Sequence, residues 1–379
     1  MNTIEKIREN AAPVNLVGGG IASNPIKKER DSNLELFRII VMLTIVAHHY
    51  VVNSGLTAID GPILTDPLSV KSIFLLLFGM WGKVGINCFV LITGYFMCKS
   101  NITVKKFLKL LLEIYFYRIV FYVIFLVTGY QAFSLTGLAK IILPVTTVST
   151  NFTGCYLLFF LFIPFLNILI RNMTEKQHLL LIVLCGFMYV ILGTIPTFGV
   201  TMNYVSWFIV LYFISSYIRL YPKKWFDNVK ITGLATLFLV VCSMCSVVGM
   251  QWLSVLFDKP GYYYYFVIDC NKILAVFTAV AAFCFFKNQK IKNSKFINTV
   301  AASTFGVLLI HANSDSMRQW LWKDTLNNVG MYDSGMLYIH AFASVIGIFI
   351  ICTIIDILRR KLLEEPFFRW WDKKQLSQK

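Results

Sequence analysis

Ten stretches between residues 34 and 358 run apolar for close to twenty residues each. A helix of that length matches the hydrocarbon thickness of a bilayer. The stretches cover 34–54, 73–98, 107–129, 152–170, 178–196, 204–221, 231–252, 266–286, 296–313 and 335–358. Only 14% of the residues are charged, against about 25% in soluble domains, which leaves little sequence for extramembrane mass. The sequence therefore predicts an all-α, polytopic membrane bundle of about ten transmembrane helices. The second stretch is interrupted at Trp81-Gly82-Lys83-Val84-Gly85, and the eighth and ninth by Asp269, Lys272, Asn298 and Ser303.

Charge sets the expected orientation. With the N-terminus inside, most of the 35 Lys and Arg residues fall on the cytoplasmic side, as the positive-inside rule requires, and both termini are cytoplasmic. Residues 1–30 read as a flexible tail rather than a cleaved signal peptide, 31–360 as the membrane domain, and 361–379 as a basic cytoplasmic tail. The net charge of +16 then reflects topology and contact with anionic lipids. Nucleic-acid binding would need a basic soluble domain. The nine cysteines are scattered, and Cys242-x-x-Cys245 lies in an apolar helix without a second pair, so neither a disulfide framework nor a metal site is expected. Asp258-Lys259-Pro260-Gly261 and the four tyrosines at 262–265 read as an outer turn and an aromatic interface belt.

The first span reads LELFRIIVMLTIVAHHYVVN. Arg38 and His49, eleven residues apart, lie on one helical face about 16 Å apart along the axis. A charge inside a bilayer costs at least ~2.5 kcal/mol, so the pair calls for a function. Imidazole titrates near neutrality and can take a proton from a hydroxyl. Neighbouring residues diverge by about 100°, so one histidine of the His48-His49 pair shares the Arg38 face, and spacing selects His49 as base. His48 is then a helper or packs, and Glu35 stands one turn before Arg38.

Other polar residues form two sets. Lys105, Lys106 and Lys109 open the third span from the cytoplasmic side. They act as ordinary flanking charge or clamp the phosphates of a nucleotide donor, with Arg118 deeper in the same span lining a cavity or meeting an acid. His311, Asn313, Asp315 and Arg318 cluster at the outer ends of spans nine and ten. His311 and Asp315 are four apart, a spacing at which a carboxylate can orient an imidazole. Lys83, between glycines, is either an interfacial lysine or a site residue. Asp269, Asn271 and Lys272 are expected inside the eighth span, pairing among themselves or with Arg118.

Four motifs in order resemble the acyltransferase-3 family of integral membrane acyltransferases, over about residues 30–360. They are RDSNLELFRIIVMLTIVAHH at 30–49, with the family's Arg, ten residues and His; GINCFVLITGYF at 85–96; FLFIPFLN at 160–167; and STFGVLLIH at 303–311. Where relatives often carry R-x-x-R, this chain has Lys106-Phe-Leu-Lys109, which lacks the bidentate guanidinium fork. The resemblance implies transfer of an acyl group, usually acetyl, from cytosolic acetyl-CoA or another acyl-CoA to a glycan or lipid-linked sugar at the outer face of a bacterial cytoplasmic membrane. His49 would be base or transient acyl carrier, with Arg38, Lys105, Lys106, Lys109 and Arg118 serving the donor. His311, Asp315, Lys83 and Glu35 would serve the acceptor, and no metal is expected. The alternative is a transporter or flippase of a sugar, lipid-linked glycan or amino acid, whose path the same polar residues would line.

Overall fold

Helix α1, Ser32–Val52, is fastened at its first turn before it packs along its length. Asn33 donates from Nδ2 to the carbonyls of Phe286 and Lys287 at 3.1 and 2.8 Å. These are carbonyls that the last turn of another helix leaves without intrahelical partners. The computed structural model describes residues 31–143 and 152–377, which form helices and loops with no strand among them. The flexible tail expected at 1–30 lies outside the described residues.

After α1 come α2 (Val70–Gly79), α3 (Gly82–Met97), α4 (Val104–Val127), α5 (Leu135–Ile142) and α6 (Phe152–Asn172). They are followed by α7 (Glu175–Thr194), α8 (Tyr204–Leu220), α9 (Val229–Leu256), α10 (Ile273–Lys287), α11 (Lys295–His311), α12 (Asp315–Thr325) and α13 (Leu337–Gln375). Seven helices among the described residues are long and apolar enough to cross a membrane: α1, α2 with α3, α4, α6, α7, α9 and α13. The chain is therefore a multi-pass membrane protein.

Each of the ten expected stretches contains a helix, but ten full spans are not obtained by length. Helices α8 and α10 have 17 and 15 residues, or ~25 and ~22 Å, short of a ~30 Å hydrocarbon core. Helix α11 ends at His311 and the chain bends by 93° into α12. The eighth stretch starts late because residues 266–272 are loop. Lys272 Nζ donates to the Gly193 carbonyl at 2.6 Å and Asn271 Nδ2 to that of Tyr189 at 2.8 Å. These polar residues therefore cap the end of α7 rather than pair within a span. Two of the four neighbouring tyrosines, Tyr263 and Tyr264, are buried, so the segment is core as much as belt.

Close approach of α1 to α2 and α3 depends on three glycines at i, i+3 spacing. A Cβ at Gly79 would come within 2.8 Å of Val51, and one at Gly85 within 2.7 Å of Ile45. At Gly82 it would overlap the His48 ring. Asn87, fully buried, joins α3 to α8 and α10: its Nδ2 donates to the Cys270 carbonyl at 2.7 Å, just before α10, and to that of Ala275 at 3.3 Å within it, and its Oδ1 accepts from Trp207 Nε1 at 2.9 Å. The most hydrophobic window of α9 is 17% buried, against 67% for α2 with α3. Helix α9 thus lies at the periphery, and α1 and α3 at the centre.

The final helix runs on past the expected end of the membrane domain. A π-helical stretch, Arg360–Glu364, carries α13 into residues that the sequence suggested were a tail. Buried Arg359 forms ion pairs with Glu113 (3.1 Å), Asp356 (2.9 Å) and Glu364 (2.8 Å). The Tyr117 hydroxyl donates to Asp356 at 2.8 Å. A guanidinium surrounded by carboxylates meets the requirement that buried charges be paired. It also ties α4 to α13.

Candidate active site

At the C-terminal end of α1, a cavity of about 770 Å³ is bordered by both His48 and His49. Walls come from α3 (Lys83, Phe89), α4 (Arg118, Tyr122), α5 (Lys140), α6 (Phe152), α8 (Tyr204) and the first turn of α12 (Asp315, Arg318). One of the two histidines was expected to face a chamber shared with Arg38. Instead both border the cavity and Arg38 does not.

Hydrogen bonding fixes the tautomer of His49. His311, fully buried behind it, places Nδ1 2.6 Å from the Val307 carbonyl of the preceding turn. A carbonyl only accepts, so His311 carries its proton on Nδ1 and offers a lone pair at Nε2. That Nε2 lies 2.9 Å from His49 Nδ1, so His49 donates from Nδ1 and keeps a lone pair at Nε2. An imidazole oriented by a second group, with its distal nitrogen basic, is the arrangement a general base requires. His48 donates from Nδ1 to the Gly79 carbonyl at 2.6 Å. The Gly82 Cα fits against its ring.

Two expectations for the outer cluster change accordingly. His311 does not border the cavity; it stands behind His49, so its geometry is that of a positioning group. Asp315 does not orient it either, because the 93° bend removes Asp315 from the α11 helical repeat and pairs it with Arg318. Lys83 does border the cavity and donates to the Tyr204 hydroxyl. Arg118 lies at the same cavity, donating to the Lys140 carbonyl at 2.9 Å, and so is remote from the lysines with which the sequence grouped it.

The remaining candidates lie at the other end of α1. Arg38 pairs with Glu35 at 3.4 Å, and its guanidinium lies 6.0 Å from the centre of the Phe96 ring. Glu35 is thus a partner of Arg38, away from the acceptor cluster. Lys105 pairs with Asp372 at 2.6 Å and Lys109 with Glu364 at 2.6 Å, while Lys106 donates to Ser100 and to the Asn101 carbonyl. Between the two ends Tyr156 bonds Thr93 at 3.0 Å, stacks on Phe152 and contacts Phe305. Thr93, Tyr156 and Phe305 each lie about one turn deeper in their helices than the cavity residues Phe89, Phe152 and Leu308. An aromatic layer therefore separates the His49 cavity from Arg38.

Neither Lys140 nor Tyr204 stands in a sequence pattern that would single it out. Lys140 sits in a short amphipathic helix outside the spans, and Tyr204 opens α8 behind its Asn203 cap. Among the described residues, no group of three His, Cys, Asp or Glu is arranged to hold a metal ion.

A family model described as an acyltransferase domain matches residues 31–357. Neither a curated protein nor a solved structure matches the chain.

Proposed function

Since the chain belongs to the acyltransferase-3 family, we propose that it is a membrane O-acyltransferase that moves an acyl group, acetyl in the simplest case, from acyl-CoA to a sugar hydroxyl. The acceptor is an extracytoplasmic glycan or a lipid-linked sugar. The observation that carries this reading is the Val307–His311–His49 hydrogen-bond relay at the wall of a cavity large enough for a sugar.

The reaction balances as a direct transfer. His49 Nε2 removes the proton of an acceptor hydroxyl while the oxygen attacks the thioester carbonyl. The C–S bond breaks, the ester forms, and coenzyme A leaves as thiolate and takes up the proton. The positive charge that develops on His49 is shared through its Nδ1–H with His311, whose own Nδ1–H is held by the Val307 carbonyl. His48, on the same wall, assists in placing the hydroxyl.

Sidedness follows the positive-inside rule: the lysine-rich end faces the cytosol and the His49 cavity opens at the opposite face. Arg38, Lys105, Lys106 and Lys109 then meet the donor's phosphates, which take the place of Glu35, Asp372 and Glu364 at Arg38, Lys105 and Lys109, and the pantetheine arm covers the ~16 Å of α1 between Arg38 and His49. That path requires Tyr156 to swing away from Thr93 when the donor enters.

The test uses purified protein in liposomes supplied with acetyl-CoA and a membrane glycan extract. Thiol release that needs the extract and is lost in His49→Ala supports the enzyme. Solute flux without donor consumption would instead make the protein a transporter.

A further inference from the structure

Among the described residues, four cations and one carboxylate border the His49 cavity. Lys83, Arg118, Lys140 and Arg318 face Asp315, and Asp315 is already committed to Arg318. Lys83 has a neutral phenol as its hydrogen-bond partner, and Arg118 a backbone carbonyl. No carboxylate among the described residues forms an ion pair with Lys83, Arg118 or Lys140. Asp269 is within electrostatic range of Lys83, but it does not border the cavity and its Oδ1 accepts from the Cys270 N–H at 2.8 Å. A cavity of one sign in low-dielectric walls concentrates the opposite charge. Intramembrane cations without acidic partners, here Lys83 and Arg118, mark ligand paths.

From this, and resting on the acyl-transfer reading above, we infer that the acceptor is a sugar carrying a phosphate or carboxylate, held by Lys140 and Arg118, with Arg318 turning to it from exposed Asp315, while its hydroxyl reaches His49. Placement of the charges supports the assignment to the acceptor. Lys83 and Arg318 border the same cavity as His49, so they oppose the positive charge that builds on it during proton removal. An anionic acceptor cancels that opposition on binding, and a neutral sugar leaves it in place. Tyr122, on the same wall, adds an aromatic side chain to the lining.

The test measures binding of three probes to the full-length protein in phosphatidylcholine nanodiscs: glucose 1-phosphate, glucose and coenzyme A. Glucose 1-phosphate is expected to bind at least tenfold more tightly than glucose. In the Lys140→Gln/Arg318→Gln variant that preference should fall to twofold or less, with coenzyme A affinity within twofold of wild type. Both substituted side chains are partly or fully exposed, and an unchanged thermal midpoint shows that the variant is folded; single Lys140→Gln, expected to lose part of the preference, serves if the double variant is not. Equal binding of glucose and glucose 1-phosphate overturns the inference. So does a variant that weakens coenzyme A as much as glucose 1-phosphate, since the cations would then hold the donor. Loss of glucose 1-phosphate binding in phosphatidylglycerol nanodiscs also overturns it, by assigning the cations to lipid headgroups. These outcomes are independent of turnover, so failure here is distinguishable from failure of the acyl-transfer reading.

Discussion

Removing His311 tests whether the relay, rather than His49 alone, makes the base. In His311→Ala the His49 Nδ1–H loses its acceptor at 2.9 Å, at a buried position. An unpaired buried donor costs about 1–3 kcal/mol. If that cost falls on the transition state, the rate drops by about 5- to 150-fold, at 1.36 kcal/mol per factor of ten. A second effect adds to it: without the lone pair of His311, the His49 tautomer with a basic Nδ1 and a protonated Nε2 becomes accessible, and that form presents no base to the cavity. The assay is steady-state thiol release from acetyl-CoA, separated into kcat and KM. The fall should lie in kcat, with KM for acetyl-CoA within twofold. His311→Gln, whose side-chain carbonyl can accept from His49 Nδ1–H, should recover part of the loss, which a merely structural role would not predict. Unchanged kcat in His311→Ala, or a Gln variant no better than Ala in two equally stable proteins, would refute the reasoning.

Further outcomes follow from the packing. Arg359→Ala leaves Glu113, Asp356 and Glu364 without their shared cation, and breaking a buried pair costs about 3–5 kcal/mol; denaturant unfolding in detergent should show it, and a loss under 1 kcal/mol would contradict the network. Gly82→Ala places a methyl group in the His48 ring, so overpacking of about 1–3 kcal/mol is expected together with a loss of turnover; an active variant of native stability would show that α1 and α3 can separate at no cost. Asn87→Leu strands the Trp207 Nε1–H and the Cys270 carbonyl, at about 1–3 kcal/mol for each group, readable as a lowered thermal midpoint. Tyr156→Ala opens the aromatic layer between Arg38 and His49, so KM for acetyl-CoA should fall or donor hydrolysis without acceptor should rise, measured by thiol release in the absence of glycan; neither change would mean that the donor takes another path.

Much of the helical architecture was legible because apolar length is a local property, and each expected stretch does contain a helix. The errors came where length alone misleads. Residues 266–272 are apolar enough to pass for helix, yet Asn271 and Lys272 are committed to carbonyls at the end of α7. Residues beyond 358 are polar enough to pass for tail, yet Glu364 and Asp372 pair with α4 lysines and belong to a folded helix. The site was half legible for the same reason. Helical spacing joined Arg38 to His49 and His311 to Asp315 as neighbours within single segments, but which helices touch is a tertiary fact. Packing therefore gave His311 to His49, gave Arg38 to Glu35 and Phe96, and moved Arg118 from the lysine end to the cavity. Lys83 was recognisable because glycines flank it; Lys140 lies in a segment with no feature to single it out.

The role proposed for His49 is acyl transfer at this cavity. Its most direct test is radiolabelled acetyl-CoA added to inside-out membrane vesicles containing wild-type protein or His49→Ala at matched abundance, with label counted in the glycan fraction. Incorporation is expected in wild type, with a loss of at least a hundredfold in the variant. Equal labelling in the two preparations would contradict it.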